Sequence, residues 1–135
     1  MPNDEPYSVS EYLVKAAGKE LSTGFHILEA ALASGHELVQ DYKETLIADL
    51  RELTAIQQAM ERGDAAACFS KERLAQYQRV QEKPLTVVVN GQRVVLPHIL
   101  YIPSSSGWTL RVHYAWDATS RVHVIGHLDD YSEHP

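Results

Sequence analysis

The run Thr109-Leu-Arg-Val-His-Tyr-Ala-Trp116 and, after Asp117-Ala-Thr-Ser120, the run Arg121-Val-His-Val-Ile-Gly-His-Leu128 decide the architecture. Alternation of apolar and polar residues is the period of a strand with one covered face. Leu110, Val112, Tyr114 and Trp116 point one way, and Arg111, His113 and Ala115 the other. In the second run Val122, Val124, Gly126 and Leu128 share a side, opposite Arg121, His123, Ile125 and His127. Antiparallel partners share a face, and a one-residue slip would turn a strand inside out, so the two apolar rows must coincide. In one permitted register His113 lies opposite His123; in the next, Arg111 lies opposite His127. Either way one sheet face is expected to carry Arg111, His113, Arg121, His123 and His127.

Upstream, Leu85-Thr-Val-Val-Val89 and Gln92-Arg-Val-Val-Leu96 flank Asn90-Gly91. Both central positions of a type I′ turn need positive φ, which Asn-Gly tolerates, so this is a hairpin. Pro97-His-Ile-Leu-Tyr-Ile-Pro103 is apolar but bounded by prolines, as suits an edge strand or an extended connection. Before residue 84 the period changes. Ser8 and Glu11 fit a capping box, followed by an apolar stripe of Val9, Leu13, Ala16 and Ala17 ending near Gly18. A second helix is expected from Ser22 or Thr23, with Phe25, Leu28 and Leu32 on one side and a break at Gly35. Val39, Tyr42, Leu46, Leu50, Leu53, Ile56 and Met60 then recur at spacings of three and four, ending at a glycine C-cap in Arg62-Gly63. Arg62-Gly63-Asp64 spells an integrin-type tripeptide, and is read here as the turn ending that helix. A last helix is expected from Ser70 to about Glu82. The expectation is an α+β fold in one domain, 1–135. Three or four N-terminal helices (1–83) would pack on a C-terminal antiparallel sheet of about four strands (84–131).

Composition sets the outer limits. The chain has 135 residues, 44% hydrophobic and 22% charged, enough for a buried core without crosslinks. A single Cys68 excludes an internal disulfide framework and a multi-cysteine zinc site. The N-terminal segment lacks the basic end and apolar stretch of a secretion signal, and no apolar run reaches membrane-spanning length, so a cytoplasmic chain without a membrane partner is expected. The net charge is −6, unevenly placed. Residues 1–70 carry five basic and twelve acidic groups, and residues 71–135 seven basic and six acidic ones. Five of the seven histidines (His98, His113, His123, His127 and His134) also lie in the second half. The helices are thus expected to offer an acidic surface to a basic partner, and the helix over 37–61 could pair with a second copy.

Basic and imidazole groups on a sheet suit phosphate contact and proton transfer, the needs of RNA backbone cleavage. The plainer alternative is the solvated side of an amphipathic sheet. Metal binding fits less well: His123 and His127 are about 13 Å apart along a strand, and no Cys or HExxH pattern completes a ligand set. No cofactor and no metal are assigned.

The segment Gly107-Trp-Thr-Leu-Arg-Val-His-Tyr-Ala-Trp-Asp117 with Arg121-Val-His-Val-Ile-Gly-His-Leu-Asp-Asp-Tyr131 resembles the closing hairpin of RelE/ParE-type bacterial toxins. In that superfamily one late strand reads R-(V/I)-x-Y-x-x-D and the next V-x-V-(I/L)-x-(V/G)-(G/H), followed by polar residues and an aromatic. The resemblance covers about 25 of the 135 residues. It implies a helical hairpin on an antiparallel sheet and a toxin–antitoxin or defence role. One branch of the family cuts mRNA in the ribosome with basic, His and Tyr side chains, and the other inhibits gyrase by binding. Carried over by position, Arg111, His127 and Tyr131 would serve activity, with His113 and His123 added by the face argument. Three features depart from the family: no strand is read before the helices, the helical region is long, and Asp129, Asp130 and Glu133 stand where basic groups are expected. They favour binding a protein partner through an acidic helical surface over RNA cleavage.

Overall fold

The computed structural model describes residues 8–17, 24–38, 42–104 and 106–132. Gly18, Ser22, Thr23, Val39, Glu133 and His134, named above, lie outside them. The first helix, α1 (Val9–Ala17), begins where Ser8 Oγ accepts the Glu11 N–H at 3.3 Å, one half of the expected box. Its Val9, Leu13 and Ala16 are buried.

The next element departs from the helical reading. Phe25–Ile27 is a short strand, β1, and α2 runs only over Glu29–Gly35. Phe25, Leu28 and Leu32 have helical spacing, but Phe25 and Ile27 also have strand spacing, and pairing with a distant strand decides between them. Gly35 ends α2 as expected, at a close approach. A Cβ there would sit 2.5 Å from Leu128 Cδ1 and 2.7 Å from Ser10 Oγ.

The strongest periodicity becomes α3 (Lys43–Arg62), with Tyr42, Leu46, Leu50, Leu53, Ile56 and Ala59 buried. Gly63 ends it at φ +84°, and the Asp64 N–H reaches back to the Ala59 carbonyl at 3.0 Å. Arg62 pairs with Asp64 at 3.2 Å across that turn, so the tripeptide is a helix end. The short α4 (Ala65–Cys68) leads to α5 (Lys71–Gln78), capped by Ser70 Oγ on the Arg73 N–H at 3.1 Å. Among the described residues no helix is long and apolar enough to cross a membrane.

The class is α+β, though the helices are not all N-terminal to the strands. β2 (Leu85–Val89) and β3 (Gln92–Leu96) form a separate two-stranded sheet around Asn90 and Gly91, at φ +52° and +80°. The main sheet is mixed, ordered β1-β6-β5-β4, where β4 is His98–Pro103, β5 Trp108–Asp117 and β6 Val122–Ser132. β4 takes the edge position, as its prolines require. At the other edge β1 runs parallel to β6, with Phe25 beside His123 and Ile27 beside Ile125. One sheet face gives Leu100, Ile102, Leu110, Val112, Tyr114, Ile125 and Leu128 to a core shared with α1, α2 and α3.

The register corrects the sequence reading. His113 lies opposite His127 and Arg111 opposite Asp129, while Tyr114 lies opposite Ile125 and Trp116 opposite His123. The shift falls between His113 and Tyr114 and leaves Gly126 as an extra residue on β6, a β-bulge. The bulge inverts the alternation, so Leu128, Ile125 and His123 all face the core and His127 faces out.

Candidate functional site

Away from the helices the sheet presents a grid of three cross-strand rows. Pro103, Thr109 and Tyr131 form the first, Tyr101, Arg111 and Asp129 the second, and Ile99, His113 and His127 the third. At the far end Leu96 of β3 closes over Gly126, where a Cβ would sit 2.5 Å from Leu96 Cδ1. The site thus has a floor of strands, one wall made by the root of the hairpin, and an open side.

Asp129 is the hub. One of its oxygens accepts the Arg111 Nε–H at 2.5 Å, and the other lies 3.2 Å from His113 Nε2 and 3.5 Å from His127 Nε2. The two imidazoles meet edge to face with centroids 5.3 Å apart. Arg111 Cζ also stands 5.0 Å from the centroid of the Tyr131 ring. His113 is only 8% exposed, and this burial lowers its pKa against the opposing pull of Asp129. It is therefore neutral at neutral pH. A proton on Nε2, donated to Asp129, leaves Nδ1 with a free lone pair. His127, Asp129 and Arg111 remain about one third exposed. Among the described residues no group of three or more His, Cys, Asp and Glu is arranged to hold a metal ion.

Four of the five expected site residues (Arg111, His113, His127 and Tyr131) come together here. His123 does not. It is fully buried on the opposite face, ringed by Phe25, Tyr77, Tyr114 and Trp116. Its Nε2 lies 2.6 Å from Tyr77 Oη, which donates onward to Gln57 Oε1 at 2.8 Å, and its Nδ1 is unpaired. Arg121 is also absent from the face. It turns the β5–β6 corner at φ +58° and pairs with Glu61 of α3 at 2.5 Å.

Asp129 enters the site although its sequence position reads as an acidic tail. β6 runs on to Ser132, so the period that places His127 outward also places Asp129 and Tyr131 there. Tyr101 is likewise absent from the expected set, because Pro97–Pro103 alone does not show which side of the edge strand faces out.

Compared with known proteins, the chain matches no sequence family, no curated protein and no solved structure.

The helices bear on it too. The exposed residues of α3 between 45 and 62 are Thr45, Ala48, Arg51, Ala55, Gln58, Glu61 and Arg62. Glu52 and Asp49 turn toward Arg73 of α5, and Glu61 toward Arg121. The apolar stripe is used in the core. The described part of α3 thus presents outward neither an acidic face nor an apolar stripe.

Proposed function

We propose that the outward sheet face binds and cleaves RNA, in the manner of a small RelE-like endoribonuclease of toxin–antitoxin or defence type. The observation that carries this reading is the direct pairing of a buried His113 with a partly exposed His127 beside Arg111. In the proposed reaction a neutral imidazole takes the 2′-hydroxyl proton, and the 2′-oxygen forms a bond to phosphorus. The bond from phosphorus to the 5′-oxygen breaks, and that oxygen leaves with a proton from the second, protonated imidazole. The products carry a 2′,3′-cyclic phosphate and a 5′-hydroxyl. Arg111 uses one donor on Asp129, and its remaining guanidinium N–H groups are free to hold the phosphoryl oxygens. Asp129 holds His113 in one tautomer, the role a carboxylate takes beside a working histidine.

On the described part of α3 the acidic side chains Asp49, Glu52 and Glu61 are each paired with an arginine, which favours the sheet over docking through residues 37–61. The test is incubation of the purified chain with end-labelled RNA, both naked and under translation in a cell-free extract, with product ends analysed. Cyclic-phosphate ends are expected, and His127→Ala should slow cleavage about 100-fold, the low end of general acid–base contributions. Intact RNA in both settings would overturn the reading.

A further inference from the structure

We infer that the cavity between α3, α5 and β4 is a binding site for a small aromatic acid that carries a hydroxyl group opposite its carboxylate. The cavity measures about 200 Å³ and uses none of Arg111, His113, His127 or Asp129. Leu53 and Ile56 of α3, Leu100 of β4 and Tyr77 of α5 supply an apolar lining. Tyr114 of β5 also lines it, at 2% exposure, and its hydroxyl has no hydrogen-bond partner among the described residues. The neighbouring Tyr77 hydroxyl differs, being taken up by His123 and Gln57 at 2.6 and 2.8 Å. Tyr77 and His98 stack on the Tyr114 ring, with centroids 6.4 and 5.2 Å from its own. The Tyr114 oxygen therefore has a set position, within electrostatic reach of Arg73 on the cavity wall. Buried hydroxyls are nearly always hydrogen-bonded, so an unpaired one on a cavity marks where a ligand's polar atom is received.

The charge at the rim selects the other end of the ligand. Arg73 is taken up by Glu52 and Asp49. Arg79, one residue past α5, lines the same cavity, and its guanidinium meets no carboxylate among the described residues. Its backbone is anchored to the sheet: His98 Nδ1 donates to the Arg79 carbonyl at 2.7 Å, and the Gln81 N–H to the Pro97 carbonyl at 2.8 Å. A guanidinium receives a carboxylate through paired N–H donors, and a single free cation matches a single negative charge. Between the two polar groups the walls are aliphatic and aromatic, which suits a ring. The volume falls below the roughly 300–1,000 Å³ of drug-sized sites, so it admits one ring with a short acidic arm.

The test titrates the full chain by calorimetry with three probes: 4-hydroxyphenylacetate, phenylacetate, which lacks the hydroxyl, and 4-hydroxyphenylethanol, which lacks the charge. The first is expected to bind with a Kd below about 1 mM, and each of the others about tenfold more weakly. Tyr114→Phe keeps the ring and its stacking, so it should bring 4-hydroxyphenylacetate down to the affinity of phenylacetate and leave phenylacetate unchanged. Arg79→Gln, on the exposed rim, should weaken both acids about tenfold and leave the alcohol unchanged. No saturable binding of 4-hydroxyphenylacetate, or equal binding of all three probes, overturns the site. Either variant that leaves its own discrimination in place overturns it too. RNA plays no part in the readout, so this site and the nuclease reading stand or fall separately.

Discussion

His123 and His113 show how position changes the meaning of a side chain. Enclosure by four rings lowers the His123 pKa to about 4, against about 6.5 in an unfolded chain. Above pH 6.5 both states are neutral there. As pH falls toward 4 the unfolded chain takes up a proton that the folded one refuses, so stability is lost across that window, by roughly 3 kcal/mol. Urea unfolding between pH 7 and 4 should show that loss, and His123→Gln should flatten the slope. For His113, burial lowers the pKa and Asp129 raises it, the first effect winning. If His113 is the proton acceptor, the acid limb of the cleavage profile lies below the ordinary imidazole value. Asp129→Asn should move that limb further toward acid, since it removes the charge that favours the protonated ring. A limb moving toward neutral pH would contradict this assignment.

At the scale of elements, some features are legible and others are not, for physical reasons. The α3 stripe, the Gly63 stop, the Asn90-Gly91 turn and the strands around Thr109–Leu128 follow from local period and turn chemistry. β1 does not, because three residues carry no period of their own and the strand exists through bonds to β6. The bulge is equally hidden: Gly126 fits the apolar row as written, and only Leu96 packed over it explains the missing side chain. That one unseen residue moves His123 inward and sets His127 against His113, a geometry that the alternation alone does not give. Gly126→Ala forces Leu96, itself fully buried, to move. A loss of about 1–3 kcal/mol in urea unfolding is expected, the usual range for overpacking. An unchanged midpoint would show that Leu96 can turn aside freely.

For the whole molecule, the separation of charge along the chain is largely undone by folding. Arg73 and Arg121, from the near-neutral half, sit against Asp49, Glu52 and Glu61 of the acidic helix. The sequence sum therefore exaggerates the acidity of the helical surface, which only three dimensions can show. Stability is also unevenly spread. β2 and β3 pair with each other in a separate two-stranded sheet, expose Val88 and Val95, and bury Leu96 over Gly126. Two-stranded sheets are marginal alone. Hydrogen exchange should find the amides of residues 86–95 opening well before those of β5 and β6. Equal protection would mean the hairpin is held as firmly as the central strands.

The placement of β1 has a consequence for biosynthesis. Phe25 pairs with His123, a residue made about 100 positions later, at ribosomal rates of several residues per second. Throughout that interval the growing chain carries the apolar rows of α1 and α3 with no sheet to lay them on. The nascent protein therefore exposes those apolar segments until the sheet is complete. The grid of Arg111, His113, His127 and Asp129 comes into being only at the last strand, so a chain interrupted before β6 lacks both the cover for those rows and the proposed site.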